Sequence, residues 1–156
     1  MPSVSIKQGW PLLLLFIAMV MGMGMLVGLI AAPGDYVAGL RTPDLVLPTA
    51  VSGALWVVLS VSFAVAGWRS WTIDSNSLEM RLWLAALILS WWFSPAFFML
   101  RSPLLALVVV VLLLGVMVLY TVRTWTTDRL SAWLFVPSVA YIGYIAAMTG
   151  AIVAMN

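Results

Sequence analysis

The sequence predicts an all-α integral membrane protein, a bundle of five transmembrane helices in one domain spanning residues 1–156. Composition is the first ground. Of 156 residues, 65% are hydrophobic and 8% charged, with a mean hydropathy of +1.16, too little polar surface to clothe a water-soluble globule. The second ground is length. A helix needs about 20 apolar residues to cross the hydrocarbon core, and the chain holds five such runs with short breaks between them. The third is placement: the breaks carry nearly all the charges and turn formers.

The first run, 10–32, ends at Pro33-Gly34-Asp35. Lys7 precedes it as in a secretory signal, but the apolar stretch is longer than a usual signal core, so it is expected to remain as a helix. The second, 45–68, follows the longest connection, Pro33 to Leu47, whose Asp35, Tyr36, Arg41, Pro43, Asp44 and Pro48 exceed the needs of a minimal turn. Loops so equipped often act as lids. The third, 82–100, is separated from the fourth, 103–122, by Arg101-Ser102-Pro103, a poor helix interior in lipid and a good tight connection. The fifth, 132–155, follows Thr126-Thr127-Asp128-Arg129. Pro95 and Pro137 fall inside the third and fifth runs, where each removes a ladder bond and is expected to kink its helix, widening the middle of the bundle.

Basic residues set the orientation. Lys7, Arg69, Arg81, Arg123 and Arg129 fall on one side of a five-helix layout, and Arg41 and Arg101 on the other. The excess belongs in the cytoplasm, which places the N-terminus inside and the C-terminus outside. The expected compartment is a bacterial inner membrane.

The chain has no cysteine and no histidine. Disulfides, thiol nucleophiles, imidazole bases and the usual zinc, copper or haem ligands are therefore excluded. All five acids lie in loops, and a serine without a base is inert, so no catalytic constellation and no metal site is expected. Met19, Met21, Met23 and Met25 alternate with a period of two, which scatters them around a helix rather than lining up a copper stripe. Sparse charge gives no footprint for nucleic acid.

Helical spacing brings polar and aromatic residues to one face of three runs: Ser52, Trp56 and Phe63; Ser90, Phe93, Ser94 and Phe97; Ser138, Tyr141 and Ile145. These faces can converge on an apolar cavity with a few hydrogen-bonding groups, the usual form of a site for a flat hydrophobic ligand. The alternative is that hydroxyls bond to their own helices and aromatics serve as packing. Trp10, Trp68, Trp71, Trp125 and Trp133 near run ends read as an interfacial belt, which cannot account for Trp56 deep in the second run. Gly24 with Gly28, Ala85-Ala86, and Gly143 with Ala147 offer close-approach surfaces.

These motifs resemble the TspO/MBR family, the tryptophan-rich sensory or translocator proteins, also known as peripheral benzodiazepine receptors. The family's first loop and second helix carry Lys-Pro, Trp, Pro-Pro and Phe-Pro followed by Trp. Arg41-Thr42-Pro43-Asp44-Leu45-Val46-Leu47-Pro48 and Trp56 keep two prolines and the last tryptophan in register. Its Asn-x-x-Trp-x-Pro-x-Phe-Phe is similar to Ser90 through Phe98, and its Pro-Tyr-x-x-Trp to Pro137 through Tyr141. Leu45, Phe93 and Tyr141 stand where the family has tryptophan, Leu47 and Gly53 where it has proline, Ser90 for asparagine and Ser138 for tyrosine. The sequence reads as a divergent member.

The resemblance implies a receptor, sensor or translocator-like protein, often a homodimer, with a cavity under the first loop. Its ligand-binding residues are expected to be Trp56, Ser90, Phe93, Tyr141, Ser138, Phe97 and Tyr36. No covalent cofactor is expected; the bound group implied is a porphyrin or other tetrapyrrole, and the partners are membrane lipid, the hydrophobic ligand and a second copy. The family's sterol motif is missing at Met155-Asn156. Two other classes fit the same residues. One is an accessory subunit of a larger membrane complex, photosynthetic or respiratory, with a vestigial pocket. The other is an enzyme of light-dependent porphyrin breakdown, leaning on tryptophans of which Trp56 alone remains.

Overall fold

Two of the long helices begin at a serine whose hydroxyl accepts from a first-turn amide. The computed structural model describes residues 6–32, 34–44 and 46–156. Helix α1 is Ile6–Ile30 and the short α2 is Asp35–Ala38. Helix α3, Thr49–Ile73, starts behind Pro48, which lacks an amide hydrogen but whose carbonyl accepts the first helical bond from Ser52, 3.0 Å. Helix α4, Leu78–Met99, is capped by Ser77, whose Oγ accepts from the Met80 amide at 3.1 Å, with Glu79 in the first turn favourable to the helix dipole. Ser102 caps α5, Pro103–Thr127, in the same way through the Leu105 amide at 3.3 Å, and Pro103 fills the first turn. Helix α6 is Arg129–Met155. Among the described residues, five helices are long and apolar enough to span a membrane. The protein is an all-α, integral membrane five-helix bundle.

Several boundaries differ from those expected: the first spanning helix is Ile6–Ile30 rather than 10–32, and the third starts at Leu78 rather than Leu82. The second spanning helix starts at Thr49 and runs past Trp68 to Ile73; the fourth continues past Val122 to Thr127; the fifth starts at Arg129, leaving Asp128 as the single residue between α5 and α6. The sequence reading stopped at charges because an isolated charge ends a span. Here the charges are paired. Arg69 forms a two-pronged bond to Asp128, Nε to Oδ2 at 2.7 Å and Nη2 to Oδ1 at 2.8 Å, and Arg123 lies 3.3 Å from Glu79. Both helices can therefore carry on through their arginines. Pro33 and Leu45, which bounded the expected first loop and second helix, lie outside the described residues.

The expected kink at Pro95 takes a specific form. From Pro95 to Met99 the α-helix widens to a π-helix, and the Leu100 amide donates to the Pro95 carbonyl five residues back at 2.9 Å. Arg101 then turns the chain at φ 49°, a left-handed conformation that costs a non-glycine residue energy. Helix α6 runs unbroken through Pro137.

Around the bundle, α1 packs on α3, α3 on α6, α6 on α5 and α5 on α4, with thinner contacts closing α4 onto α1 and α3. One core cluster fills the half toward the α5–α6 turn. Trp83 is fully buried there, its indole N–H donating to the Phe63 carbonyl at 2.9 Å. It lies so close over Gly67 that a Cβ at that position would collide with the indole. Phe16 and Phe63 flank Trp83, each 5.2 Å away between ring centres, and Phe135 joins Phe63 to Tyr120. The Tyr120 hydroxyl bonds to Ser70 at 2.7 Å and to the Ala66 carbonyl at 3.2 Å. A smaller cluster of Ala96, Phe97, Ala106 and Ile152 sits at the other end, with Tyr36 and Leu40 packed on it.

Trp10, Trp71, Trp125 and Trp133 are exposed, as a belt requires. Trp68 is not a belt residue. It packs against the core over Gly9 of α1, and its Nε1 is buried without a hydrogen-bond partner. Ala86 is also fully buried, so the outward stripe of α4 is Leu84, Ile88 and Trp92 rather than the small residues.

Candidate functional site

A cavity of about 310 Å³ lies within the bundle, and all five long helices contribute to its wall. From α3 come Trp56, Leu59, Ser60 and Phe63; from α4, Leu87, Ser90, Trp91, Phe93 and Ser94; from α6, Ser138, Tyr141, Ile142 and Ile145. Helix α1 adds Val20, Gly24 and Val27, and α5 adds Val110, Leu113 and Met117. The wall is apolar and aromatic with a few hydroxyls, and among the described residues it contains no charged side chain.

Helical spacing explains the convergence. Trp56, Ser60 and Phe63 follow one another at three and four residues along α3, as do Ser90 and Ser94 on α4 and Ser138, Tyr141 and Ile145 on α6. Trp56 is held by its neighbour across the bundle. Gly24 of α1 leaves room for the indole, and a Cβ there would stand 2.9 Å from Trp56 Cζ2. The Ser90 hydroxyl donates to the Leu87 carbonyl at 2.7 Å, and Ser52 lies beside the Tyr141 hydroxyl. Ser138 is different: it is 5% exposed and its Oγ has no hydrogen-bond partner.

Of the seven residues expected from the sequence to bind a ligand, five stand on the cavity wall: Trp56, Ser90, Phe93, Ser138 and Tyr141. Phe97 and Tyr36 stand apart from them. Their rings meet edge to face at 6.4 Å in the smaller cluster, where Phe97 also stacks on Phe93 at 6.1 Å. Phe97 thus stays beside Phe93, one step beyond the cavity wall, at the start of the π turn.

Above that cluster lies the segment from Asp35 to Leu47, tied down at three points. The Tyr36 hydroxyl donates to the Arg101 carbonyl at 3.2 Å, and the Arg101 guanidinium lies 5.9 Å over the Tyr36 ring. Asn156 brackets Arg41, accepting from its amide and donating to its carbonyl, both at 3.0 Å. The Leu47 amide donates to the Tyr144 hydroxyl at 3.2 Å.

The model of the TspO/MBR family matches residues 16–155. The chain belongs to the TspO/MBR family. Membership fits the geometry just described and indicates a membrane sensor or translocator role. No curated protein matches the chain.

This family member's site has parts that the sequence reading missed. Ser60 shares the Trp56 face four residues on, so the spacing that found Trp56 contains it. The contributions of α1 and α5 have no such signal, because Val20, Val27, Val110 and Leu113 look like any lipid-facing residue. Gly24 stood out only as half of a small-residue pair, and its role depends on where Trp56 lies in space. Gly28, the other half, has nothing within 4 Å of a Cβ.

At the opposite end, the Arg69–Asp128 pair forms a clasp rather than a site. Ser131 Oγ also donates to Asp128. Burial pushes the Asp128 carboxyl up, but the hydrogen bonds from Arg69 and Ser131 and the Arg69 charge outweigh it and hold the group below the usual carboxylate range. The clasp fixes the α5–α6 turn to α3.

Proposed function

We propose that this protein is a membrane receptor or sensor that binds a flat hydrophobic small molecule inside the bundle, in the class of porphyrins and other tetrapyrroles. The observation that supports the reading is the convergence of Trp56, Ser90, Phe93, Ser138 and Tyr141 from three helices on one uncharged, aromatic cavity. Trp56 and Tyr141 offer ring faces for stacking, and the serines offer donors that orient the ligand. The Asp35–Leu47 segment gates the site, since its ties to Arg101, Tyr144 and Asn156 are hydrogen bonds that open without breaking the core. In this reading the N-terminus is cytoplasmic, and a second copy packs through lipid-facing surface.

The test is titration of protoporphyrin into the purified protein, read by quenching of tryptophan fluorescence. Trp56→Ala should weaken binding by about 1 to 3 kcal/mol, roughly five- to a hundred-fold, because stacking and buried aromatic area are both lost. Trp133, 59% exposed, is the control, and its alanine variant should bind as wild type does. Tyr141→Trp restores the family residue and should hold or raise affinity. Equal affinities for folded wild type, Trp56→Ala and Trp133→Ala would show that porphyrin only partitions onto the apolar surface, and the reading would fall.

A further inference from the structure

Several hydroxyls along these helices, half-buried or buried, have partners of their own. Ser62, Thr121, Thr124 and Thr149 each donate to the carbonyl four residues earlier, at 2.8 to 3.0 Å, and Ser90 to the carbonyl three residues earlier. Ser138 does not, although it is only 5% exposed. A buried donor without an acceptor costs free energy, and such a group in a native fold calls for an explanation. Ser138 stands on the cavity wall, and a serine hydroxyl can donate one hydrogen bond to a group brought beside it.

The rest of the wall narrows what the partner is. Among the described residues no Lys, Arg, Asp or Glu lines the cavity, so an ionised group brought inside would meet no counter-charge there. Trp56, Trp91, Phe93 and Tyr141 present electron-rich rings, which favour an electron-poor planar ring in offset or edge contact. At about 310 Å³ the space is at the small end of the range for ligand pockets.

We propose that the interior takes a neutral planar ring ketone or quinone whose carbonyl oxygen accepts the hydrogen bond that Ser138 leaves unused. The inference rests on the reading of the cavity as a ligand site and names the chemistry of the part that enters. Open-chain tetrapyrroles carry such carbonyls on their end rings, whereas a porphyrin has none on its ring and would leave Ser138 unpaired.

Three probes of matched size separate the possibilities: menadione, which has the carbonyls; methylnaphthalene, which lacks them; and naphthoic acid, ionised at neutral pH. Their binding is measured by equilibrium dialysis against the protein in lipid nanodiscs, with empty discs subtracted. Menadione should bind about three- to tenfold more tightly than methylnaphthalene, the worth of one neutral hydrogen bond, and naphthoate more weakly than either. Ser138→Ala should abolish the menadione advantage and leave methylnaphthalene unchanged, while Ser138→Thr keeps the advantage. Because the Oγ has no partner to lose, Ser138→Ala should fold as wild type does, which circular dichroism checks.

If methylnaphthalene binding falls in Trp56→Ala but menadione has no advantage, or keeps it in Ser138→Ala, the ligand site stands and this proposal alone is overturned. Naphthoate binding as tightly as menadione overturns it too. If no probe binds above empty discs, or Trp56→Ala alters none, the ligand-site reading falls and the proposal falls with it.

Discussion

Gly24 and Trp56 meet across the α1–α3 interface so closely that a Cβ on Gly24 would stand 2.9 Å from the indole Cζ2. The wall position of Trp56 therefore depends on the absence of a side chain on another helix. Real Cβ atoms do not approach a ring carbon that closely, so one of the two must shift.

Gly24→Ala should displace the indole or part α1 from α3, weakening protoporphyrin binding several-fold at an overpacking cost of about 1 to 3 kcal/mol. Gly28→Ala, with open space at its Cβ, should leave both binding and thermal stability at wild-type levels. Identical behaviour of the two variants in fluorescence titration and melting would contradict the arrangement.

Trp83 fills the core between Phe16 and Phe63 and donates to the Phe63 carbonyl. Trp83→Phe removes the N–H and part of the ring, and a loss of about 1 to 3 kcal/mol is expected. Gly67→Ala should cost a similar amount by pushing the indole away. Thermal unfolding in mild detergent reads both. Trp92→Phe, on the outward stripe, should change little.

Asp128 gives the clasp a pH dependence. Its carboxyl is held below the ordinary value in the folded protein, so the unfolded chain binds its proton first as pH falls. The stability it contributes is present above the usual carboxylate value, about 3.9, and is lost as pH drops from there through the lower folded value. Melting temperature should decline over that acid window, and Asp128→Asn should flatten the decline. At neutral pH, Arg69→Leu should cost about 1 to 2 kcal/mol, less than breaking a fully buried pair because the Arg69 side chain is 31% exposed. An unchanged acid profile in Asp128→Asn would remove this group as the cause.

The gating segment is held by side chains that can be deleted singly. Asn156→Ala removes both bonds to Arg41, and Tyr144→Phe removes the acceptor of the Leu47 amide. Amide exchange should speed up at Arg41 in the first variant and at Leu47 in the second, with core amides of α5 unaffected. Uniform exchange changes along the chain would mean that the variants disturb the bundle rather than the gate.

The proposed orientation rests on the basic residues. Arg69, Arg81, Arg123 and Arg129 belong to one end, where Arg69 and Arg123 pair with Asp128 and Glu79, while Arg41 and Arg101 lie against Asn156 and Tyr36 at the other. With the richer end in the cytoplasm, a reporter fused after Asn156 should be active only outside. Activity confined to the cytoplasm would reverse the assignment.

The five spans were legible because lipid leaves the chain few options. A run of about 20 apolar residues must form a helix to satisfy its backbone, and breaks must hold the charges and turn formers, as at Ser77 and Ser102. The faces carrying Trp56, Ser90 and Tyr141 were legible too, since a polar or aromatic residue recurring every three or four positions marks one side of a helix. Helix ends at Ile73, Thr127 and Arg129 were not, because an arginine is a stop or a continuation depending on a carboxylate elsewhere. Arg69 and Asp128 are 59 residues apart in sequence.

By itself, then, the sequence determined the class, the number of crossings, the turn positions and which faces of three helices are unusual, all consequences of composition and local period. Only the tertiary structure decided that Gly24 seats Trp56, that Gly67 and the Phe63 carbonyl hold Trp83, that Phe97 packs with Tyr36 beyond the cavity wall, and that Ser138 is left without a partner. Each is a relation between residues on different helices. A local pattern of apolar residues does not encode it, because lipid-facing and core-facing side chains in a membrane bundle are chemically alike.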